Sequence, residues 1–215
     1  MAAQSAALAR AAALIHISAV KKALALVVLL AVAWLWLHEP AAKWRGIPAP
    51  NDPVQTGAHL PKPFRHDRYT VTPLARYAVT AVVLSRERYR YDHEAELAPV
   101  DLALGWGPMS IASVINDLEI SQSARWYEYR PKDEPPLDLS EIVSHSANTH
   151  CLPANDDVRD TLLSVRRHEL VKLQGYLVEI TLPDGYRWTS SLSRTDTGGH
   201  ACEVFWITSA TRWSL

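Results

Sequence analysis

The stretch from Glu169 to Arg194 constrains the fold of this chain more than any other, because its pattern is that of a long, bent β-hairpin. In the first strand, apolar residues occupy odd positions at first and even positions further on. We therefore expect the core-facing side of the strand to change at Gly175, since a glycine inside a strand often marks a bulge or a sharp bend. A turn at Pro183-Asp184-Gly185 and an aromatic-rich return strand follow. Such a hairpin is typical of a small, strongly curved β-barrel.

The rest of the pattern predicts an α+β fold that is mainly β. Apolar and alternating runs predict strands within 69–91 and 123–130. Helical spacing predicts one short helix that begins at Ser110 and another that is capped by Asn155 or Asp156. We expect a mixed β domain whose C-terminal part is a small barrel of the OB or SH3-like kind, with two short helices.

Composition divides the chain into five segments. A tail precedes an apolar run, a proline-rich linker follows that run, and an acidic, proline-broken loop divides the remainder into two halves. The predicted boundaries are 1–22 for a cytoplasmic tail, 23–42 for a transmembrane anchor, 43–65 for the linker, 66–138 for a β-rich half, and 139–215 for a helix with the small barrel.

The uncharged apolar run from Ala23 to Leu37 predicts where the protein resides. With the alanines that follow, the run approaches the roughly 20 residues needed to span a bilayer. A cleaved signal peptide is the competing interpretation, but Trp34 and Trp36 make the end of the run bulky. A buried soluble helix would need a polar face, which the run lacks. Because basic residues precede the run, we expect a bacterial inner-membrane, single-pass protein with its soluble domain in the periplasm.

The charge balance argues against a dominant nucleic-acid surface. The chain has 22 Lys and Arg residues against 23 Asp and Glu residues, whereas nucleic-acid binding needs a concentrated basic field. Arg86, Arg88 and Arg90 share one strand face that is suited to phosphates or single strands, but acidic neighbours favour simple ion pairs. We expect other membrane or periplasmic proteins as partners, the membrane itself through the N-terminal helix, and no nucleic acid.

Two polar segments, 144–156 and 196–202, hold the side chains best suited to chemistry. The candidate binding or chemical residues are His145, Asn148, His150, Asp196 and His200. If the segments meet, the three histidines and the cysteines form a mixed nitrogen and sulfur zinc site, although their spacing matches no zinc template. The competing arrangement joins Cys151 to Cys202 in a disulfide, as is typical of an oxidising compartment; two independent thiols are the third. We favour the disulfide and expect no bound metal and no cofactor.

The sequence contains no complete catalytic motif. Asp196-Thr197-Gly198 resembles the active-site turn of aspartic proteases, but that site needs two aspartates that share a proton, and the chain has one such turn. The sequence has no Gly-x-Ser-x-Gly elbow, no Walker A loop and no dinucleotide-binding loop. We therefore expect a protein that is not an enzyme, in which Asp196 caps its own loop.

Two resemblances concern the barrel and the polar segments. The bent hairpin, with a helix before it, resembles the small OB-type and staphylococcal-nuclease-like barrels over the C-terminal part of the chain. The arginine and carboxylate set of such nucleases has no match here, so no catalytic residue carries over. The SHSANTH and DTGGHACE segments are similar to those of uncharacterised bacterial proteins with a single-pass membrane anchor. These resemblances imply a tethered barrel and no particular chemistry.

From these features we expect a membrane-tethered, extracytoplasmic binding or scaffolding module that engages a partner protein at the inner membrane. One alternative is a metal-dependent hydrolase that uses the three histidines. The other is a barrel that binds oligosaccharide or single-stranded nucleic acid through its aromatic residues and the three strand arginines. Fold alone does not decide among them, because small barrels serve all three uses.

Overall fold

The computed structural model describes residues 21–22, 24–32, 48–91 and 94–213. The chain divides into two units, Met1–Ala42 and Lys43–Leu215. Residues 1–20 of the predicted tail, the tryptophans that end the apolar run, and the first residues of the linker lie outside the described residues.

In the first unit, residues 21–22 and 24–32 are helical. The large apolar side chains from Leu24 to Val32 are all exposed, with exposed fractions between 45% and 66%. Among the described residues, no helix has both the length and the apolar character that crossing a membrane requires. The membrane anchor stays a prediction.

The second unit is mainly β with a few short helices, which confirms the predicted class. Its described strands are β1 (Val54–Thr56), β2 (Phe64–His66), β3 (Tyr69–Arg88), β4 (Val100–Gly105), β5 (Leu118–Ser123), β6 (Trp126–Pro131), β7 (Ser146–Pro153), β8 (Leu170–Thr181), β9 (Arg187–Thr189) and β10 (Glu203–Trp213). Its described helices are a 3₁₀ turn (Gly107–Ser110), α1 (Ala112–Asn116), α2 (Leu139–Ser144) and α3 (Asp156–Ser164).

Five of the described strands pair in a closed ring. β3 pairs antiparallel with β4 and with β8, and β4 pairs antiparallel with β7. β7 pairs in parallel with β10, which pairs antiparallel with β8 and so completes the ring. β1 and β2 each pair with β3, and β9 pairs with β8. β5 and β6 form a separate hairpin. Strands from both sides of the predicted boundary at residue 138 therefore share one sheet.

The barrel core fills the inside of this ring. Its apolar side chains come from the inward faces of all five ring strands and from α3, which contributes Val158 and Leu162. Asn155 caps α3 as predicted, because its side-chain oxygen accepts a hydrogen bond from the Val158 amide at 3.0 Å. Two further clusters cover parts of the outer face: one lies under α1, α2 and the β5–β6 hairpin, and the other includes Tyr69 and Trp206.

The helix expected after Ser110 is shorter than predicted. Ser110 ends the 3₁₀ turn instead of capping a helix, and its Oγ accepts a hydrogen bond from the Ala49 amide at 2.8 Å. α1 has 5 residues, and Leu118, which the helical spacing included, begins β5. The hydroxyl of Ser110 thus binds the segment before β1 and does not cap a helix.

The predicted change of core-facing side at Gly175 is wrong. Val171, Leu173 and Leu177 all point into the barrel core, so the alternation of β8 continues through the glycine. The apolar residues on even positions beyond Gly175, such as Val178, belong to the outer cluster that includes Tyr69 and Trp206. The sequence pattern changes because both faces of β8 are covered beyond this point, not because the strand turns over.

Gly175 is required by a close approach of two strands. The irregularity that the pattern placed in β8 lies in its neighbour β10, where the register shifts between Ile207 and Ser209. Gly175 faces this bulge, and a Cβ on it would lie 2.0 Å from the carbonyl oxygen of Trp206. A backbone atom cannot move aside as a flexible side chain can, so only glycine fits here.

We predict that Gly175→Ala lowers the free energy of unfolding by at least about 1–3 kcal/mol, the range typical of overpacking. The added methyl group must displace the backbone of β10, which two ring strands hold in place. Urea denaturation measures the change. Gly57→Ala is the control, because a Cβ there meets no atom within 4 Å. Equal stability of the two variants would contradict this account.

Candidate functional site

Three neighbouring ring strands place Asp101, His150 and Cys202 side by side. Asp101 of β4 is the register partner of His150 on β7, and His150 is the register partner of Val204 on β10. Cys202 lies two residues before Val204, at the point where β10 begins. Because strand side chains alternate between faces, all three point away from the barrel core to the same outer surface.

The three side chains are in contact. His150 Nδ1 lies 2.9 Å from Asp101 Oδ2, and neither atom has another polar partner among the described residues. Cys202 lines the same cleft as His150 and is near enough to the imidazole to raise its pKa. Asp101 and His150 are 0% and 5% exposed, whereas Cys202 is partly exposed. A carboxylate, an imidazole and a partly exposed thiol are thus neighbours.

His150 holds its proton strongly in this setting. Burial alone lowers its pKa, but the hydrogen bonds and negative charges of Asp101 and Cys202 outweigh burial and raise the pKa from 6.5 to about 9. The stabilisation from this pair is therefore complete below pH 6.5 and is lost as the pH rises through about 9. Near pH 7 the imidazole is therefore protonated, and the imidazolium lies against the Asp101 carboxylate.

Arg125 supports the Asp101 carboxylate from the other side. Its Nη1 donates to Asp101 Oδ1 at 3.1 Å, and its guanidinium lies 4.1 Å from the centre of the Tyr89 ring. Arg125 and Ala124 form the two-residue turn of the β5–β6 hairpin, with φ of 65° and 48°. Such turns normally use Asn and Gly, because other residues are strained at positive φ. The contacts of Arg125 offset this strain and hold the hairpin over the site.

Cys202 lines two adjoining clefts. The first, which we name the His150 cleft, has a volume of about 280 Å³ and is also lined by His150, Trp188, Tyr186, His200 and Glu94. The second, the Asn148 cleft, has a volume of about 230 Å³ and is also lined by Asn148, Tyr127, Tyr129, Val143 and Asp196. Trp126 and Gly198 border both clefts. The sulfur is therefore accessible to a ligand that extends to either side of it.

The structure brings four of the five predicted candidate residues to these clefts. Asn148 and Asp196 line one cleft, and His150 and His200 line the other. His145 lines neither: its ring packs against Gly107, and its Nδ1 lies 2.9 Å from the carbonyl oxygen of Glu141. The first histidine of the predicted loop therefore has a structural position at the end of α2.

The predicted disulfide between Cys151 and Cys202 is not present, because both cysteines are free thiols. Cys151 points into the barrel core, where it is fully buried, and burial raises the pKa of its thiol well above the usual value. Cys202 lies on the opposite face, where Asn148 Nδ2 contacts its sulfur at 3.5 Å. Two cysteines on opposite faces of one sheet cannot approach to bonding distance.

The zinc alternative also lacks the arrangement it needs. In the part of the chain that the structure describes, no three His, Cys, Asp or Glu side chains are grouped so that they could hold a metal ion. Of the three histidines considered, His150 and His200 share a cleft, but His145 does not line it. His150 Nδ1 is directed at Asp101.

The strand arginines lie away from these clefts. Arg86 donates from Nη1 to the carbonyl oxygen of Val165 at 2.8 Å, at the C-terminal end of α3. Desolvation by burial lowers its pKa. Arg86 therefore provides a donor for a carbonyl group at the end of a helix. The sequence analysis had considered it as part of a row of arginines that faces phosphates.

Sequence reasoning missed Asp101, Arg125 and Trp188, which complete the site around His150. Trp188 packs against His150 with ring centroids 4.9 Å apart. The one available signal was a charged residue inside the apolar run from Val100 to Gly105. Burying a carboxylate costs free energy unless the group is paired. Asp101 therefore indicated that a cation or an imidazole lies beside it on a neighbouring strand.

A second buried acid lies directly after Cys202. Glu203 is 5% exposed, and its Oε2 has no hydrogen-bond partner among the described residues. Burial raises its pKa from 4.5 to about 8, with Asp196 adding to the rise and Arg194 and His150 opposing it. The group is therefore neutral in the folded chain near pH 7 and charged in the unfolded chain.

We predict that Glu203→Gln removes a pH dependence of stability. Because the folded chain holds this proton more tightly, the contribution of Glu203 is complete below pH 4.5 and is lost as the pH rises through about 8. From pH 5 to pH 8 (values set by these two pKa values), the free energy of unfolding should shift in favour of the variant by on the order of a few kcal/mol. Urea denaturation across this range measures it, with the exposed Glu119→Gln as control. Parallel curves for wild type and Glu203→Gln would contradict the assignment.

Comparisons with protein-family models, with curated proteins and with solved structures each found no match. The chemistry of the site therefore follows from the contacts of Cys202, His150 and Asp101 alone.

Proposed function

We propose that this protein is a thiol-dependent acyl-transfer enzyme in which Cys202 is the nucleophile, His150 the general acid and base, and Asp101 the residue that orients the imidazole. The observation that carries this proposal is that Asp101 contacts His150 and that His150 shares a cleft with Cys202, a partly exposed thiol that also lines a second cleft. A nucleophile, a base within hydrogen-bond reach and a third group that orients the base are the signature of covalent catalysis. This differs from the expectation of a non-enzymatic module.

The reaction begins from the form in which Cys202 has lost its proton to solvent and faces the His150 imidazolium as a thiolate. The imidazolium is stabilised by the Asp101 carboxylate 2.9 Å from Nδ1. The sulfur then adds to the carbonyl carbon of an ester or amide and forms a C–S bond. As the bond to the leaving group breaks, the imidazolium returns the proton to that group. A thioester on Cys202 remains.

The second half of the reaction frees the enzyme. Neutral His150 takes a proton from water or from an acceptor amine or alcohol, which adds to the thioester carbon. The C–S bond then breaks, and the sulfur leaves as a thiolate beside the His150 imidazolium, which restores the starting form. No oxidant, metal or cofactor takes part in either half. Trp188 against the imidazole limits the access of water to the ion pair, which strengthens the electrostatic contacts of the ring.

The position of the site on the barrel supports this proposal. We propose that the barrel is of the OB type, for which the closed five-stranded ring, the parallel β7–β10 pair and α3 between the third and fourth ring strands are the supporting features. OB barrels bind ligands on the face of their second and third strands, between two loops. Asp101 and His150 lie on the second and third ring strands here, and Glu94 and Cys202 come from the two bordering loops.

A binding or scaffolding module that engages a partner protein at the inner membrane is the second candidate. The observation that favours it is the pair of exposed aromatic side chains at the mouth of the His150 cleft, Trp126 and Tyr186, which are 52% and 55% exposed. Exposed aromatic residues beside a cleft are common in protein interfaces. The two candidates differ in whether the Cys202 thiol is required.

We predict that p-nitrophenyl acetate acylates the native 215-residue chain at Cys202. A burst of p-nitrophenolate and the mass of one added acetyl group report the thioester. Cys202→Ala should abolish both signals, whereas Cys151→Ala should retain them because that thiol lies in the barrel core. His150→Gln should lower the acylation rate by about 10² or more, as expected for loss of a general base.

The matched measurement uses the same chain in urea. Acylation no faster in the native chain than in the unfolded chain would contradict the enzyme proposal, and so would wild-type acylation of Cys202→Ala. Near-UV circular dichroism shows whether His150→Gln keeps the native packing. Capture of a partner by an unreactive Cys202→Ala chain, together with failure of acylation in wild type, would favour the binding module.

We propose further that the N-terminal segment tethers this domain to the bacterial inner membrane, with the domain in the periplasm. The uncharged apolar run after Lys21 and Lys22 and the exposed apolar side chains of its helical part support this. The SHSANTH and DTGGHACE segments add the similarity to bacterial membrane-anchored proteins. The domain is placed to act on substrates or partner proteins beside the membrane.

We predict that the chain, expressed in a Gram-negative bacterium, stays in the membrane fraction after alkaline carbonate washing. Protease added to spheroplasts should degrade the domain while leaving cytoplasmic proteins intact. A chain in which Leu26 and Leu30 are replaced by Arg should be released by the wash, because charges in the apolar run oppose insertion. Release of the unaltered chain by carbonate, or protection from protease, would contradict this location.

A further inference from the structure

Cys202 separates two clefts that hold different catalytic partners. His150 lines one cleft and not the other, whereas Asn148 lines the second and not the first. A base that returns a proton to the leaving group must be on the side where that group departs. The leaving group, and later the acceptor, therefore belong in the His150 cleft. The acyl group that stays on sulfur must then extend into the Asn148 cleft.

The side-chain amide of Asn148 is held with its N–H groups toward the sulfur. Gln122 Nε2 donates to Asn148 Oδ1 at 2.7 Å, which fixes the oxygen on the side away from Cys202. Asn148 Nδ2 donates to the carbonyl oxygen of Arg125 at 2.7 Å and contacts Cys202 Sγ at 3.5 Å. In the opposite orientation, Asn148 Nδ2 would face the donor Gln122 Nε2, and Asn148 Oδ1 would face the carbonyl oxygen of Arg125. A donor would then oppose a donor and an acceptor would oppose an acceptor, so these contacts allow only the first orientation.

This amide is built into the barrel and is not a surface group. Asn148 is 5% exposed, and its position on β7 alternates with the inward-facing residues of that strand. One of its two N–H bonds is directed at Cys202 Sγ, the atom that is acylated in the proposed reaction. An amide donor beside a nucleophilic sulfur can stabilise, by a hydrogen bond, the negative charge that develops on the oxygen of an attacked carbonyl.

We propose that the Asn148 cleft is the acyl-binding site of the enzyme and that the Asn148 side-chain amide donates a hydrogen bond to the carbonyl oxygen during addition to Cys202. This inference rests on the proposed thiol-dependent acyl transfer. The cleft has Tyr127, Tyr129 and Val143 in its walls and a volume of about 230 Å³. It suits an acyl donor with a small apolar or aromatic group next to the carbonyl, such as an apolar aminoacyl group of a peptide.

The test compares two reactions at the same sulfur. Acylation by p-nitrophenyl butyrate passes through an oxyanion, whereas alkylation by iodoacetamide does not. Asn148→Ala should lower the acylation rate by about 10² and leave the alkylation rate of Cys202 within about twofold, because His150 and Asp101 are untouched. Thr211→Ala is the control, since Thr211 is exposed on β10 and lines neither cleft, and it should change neither rate.

Each outcome decides a separate question. Fast acylation of wild type with an equally fast Asn148→Ala would overturn the role of the amide while leaving the enzyme proposal intact. Failure of wild type to acylate at Cys202 would overturn the enzyme proposal itself. An equal loss of acylation and alkylation in Asn148→Ala would assign this residue to holding Cys202 in place, and so would also overturn its role as a donor to the carbonyl.

A second variant tests the direction of the acyl group. Val143→Phe adds bulk to the Asn148 cleft from α2, and position 143 does not line the His150 cleft. We expect it to slow acylation by p-nitrophenyl butyrate at least tenfold relative to p-nitrophenyl acetate, whose acyl group needs little of the cleft. An unchanged ratio of the two rates would overturn the assignment of this cleft to the acyl group, even where Asn148→Ala behaves as expected.

Discussion

The pairing of β3 with both β4 and β8 is the constraint on which the rest of the structure depends. β3 is 20 residues long; its residues 70–82 pair with β8, and its residues 82–88 pair with β4. One strand that serves two neighbours in succession must bend, and its bend converts an open sheet into a ring without exposed edges. Closure in turn holds β4, β7 and β10 side by side; Asp101 and His150 lie on the first two of these strands, and Cys202 directly precedes the third. The geometry of the proposed site is thus a consequence of barrel closure.

Asp101 then ties the parts outside the ring to that site. A fully buried carboxylate is tolerated only if its charge is compensated, and loss of one partner leaves an expensive unpaired charge. Here Arg125 compensates one oxygen and His150 the other. Because Arg125 sits in a strained turn, the ion pair also holds the β5–β6 hairpin in position, and that hairpin supplies Gln122, which orients the amide of Asn148. One buried charge therefore organises the base, the covering hairpin and the amide beside the sulfur.

The sequence predicted the class of the domain, the cap of α3 by Asn155 and the polar segments that surround the site, because these depend on local pattern. It did not predict which side chains meet. Whether His150 contacts Asp101 depends on the register between two strands that are about 50 residues apart, and nothing local specifies that register. The prediction drawn from the pattern change near Gly175 was wrong for a related reason. A strand whose outer face is covered by a neighbouring segment has the same sequence pattern as a strand that turns over. Alternation shows that a face is covered but does not show by what.

Register also decides which of the two thiols is able to react. His150 and Cys151 are adjacent, so one faces the outer surface and the other faces the barrel core. A shift of β7 by one residue would exchange them: the imidazole would be buried among apolar side chains, and Cys151 would face Asp101. The parallel pairing of β7 with β10 and the cap that starts α3 just after β7 both oppose such a shift. The same pairing sets Cys202 at the start of β10, two residues before the register partner of His150. The stability of this barrel and the alignment of Cys202 with His150 are therefore maintained by the same pairing of β7 with β10.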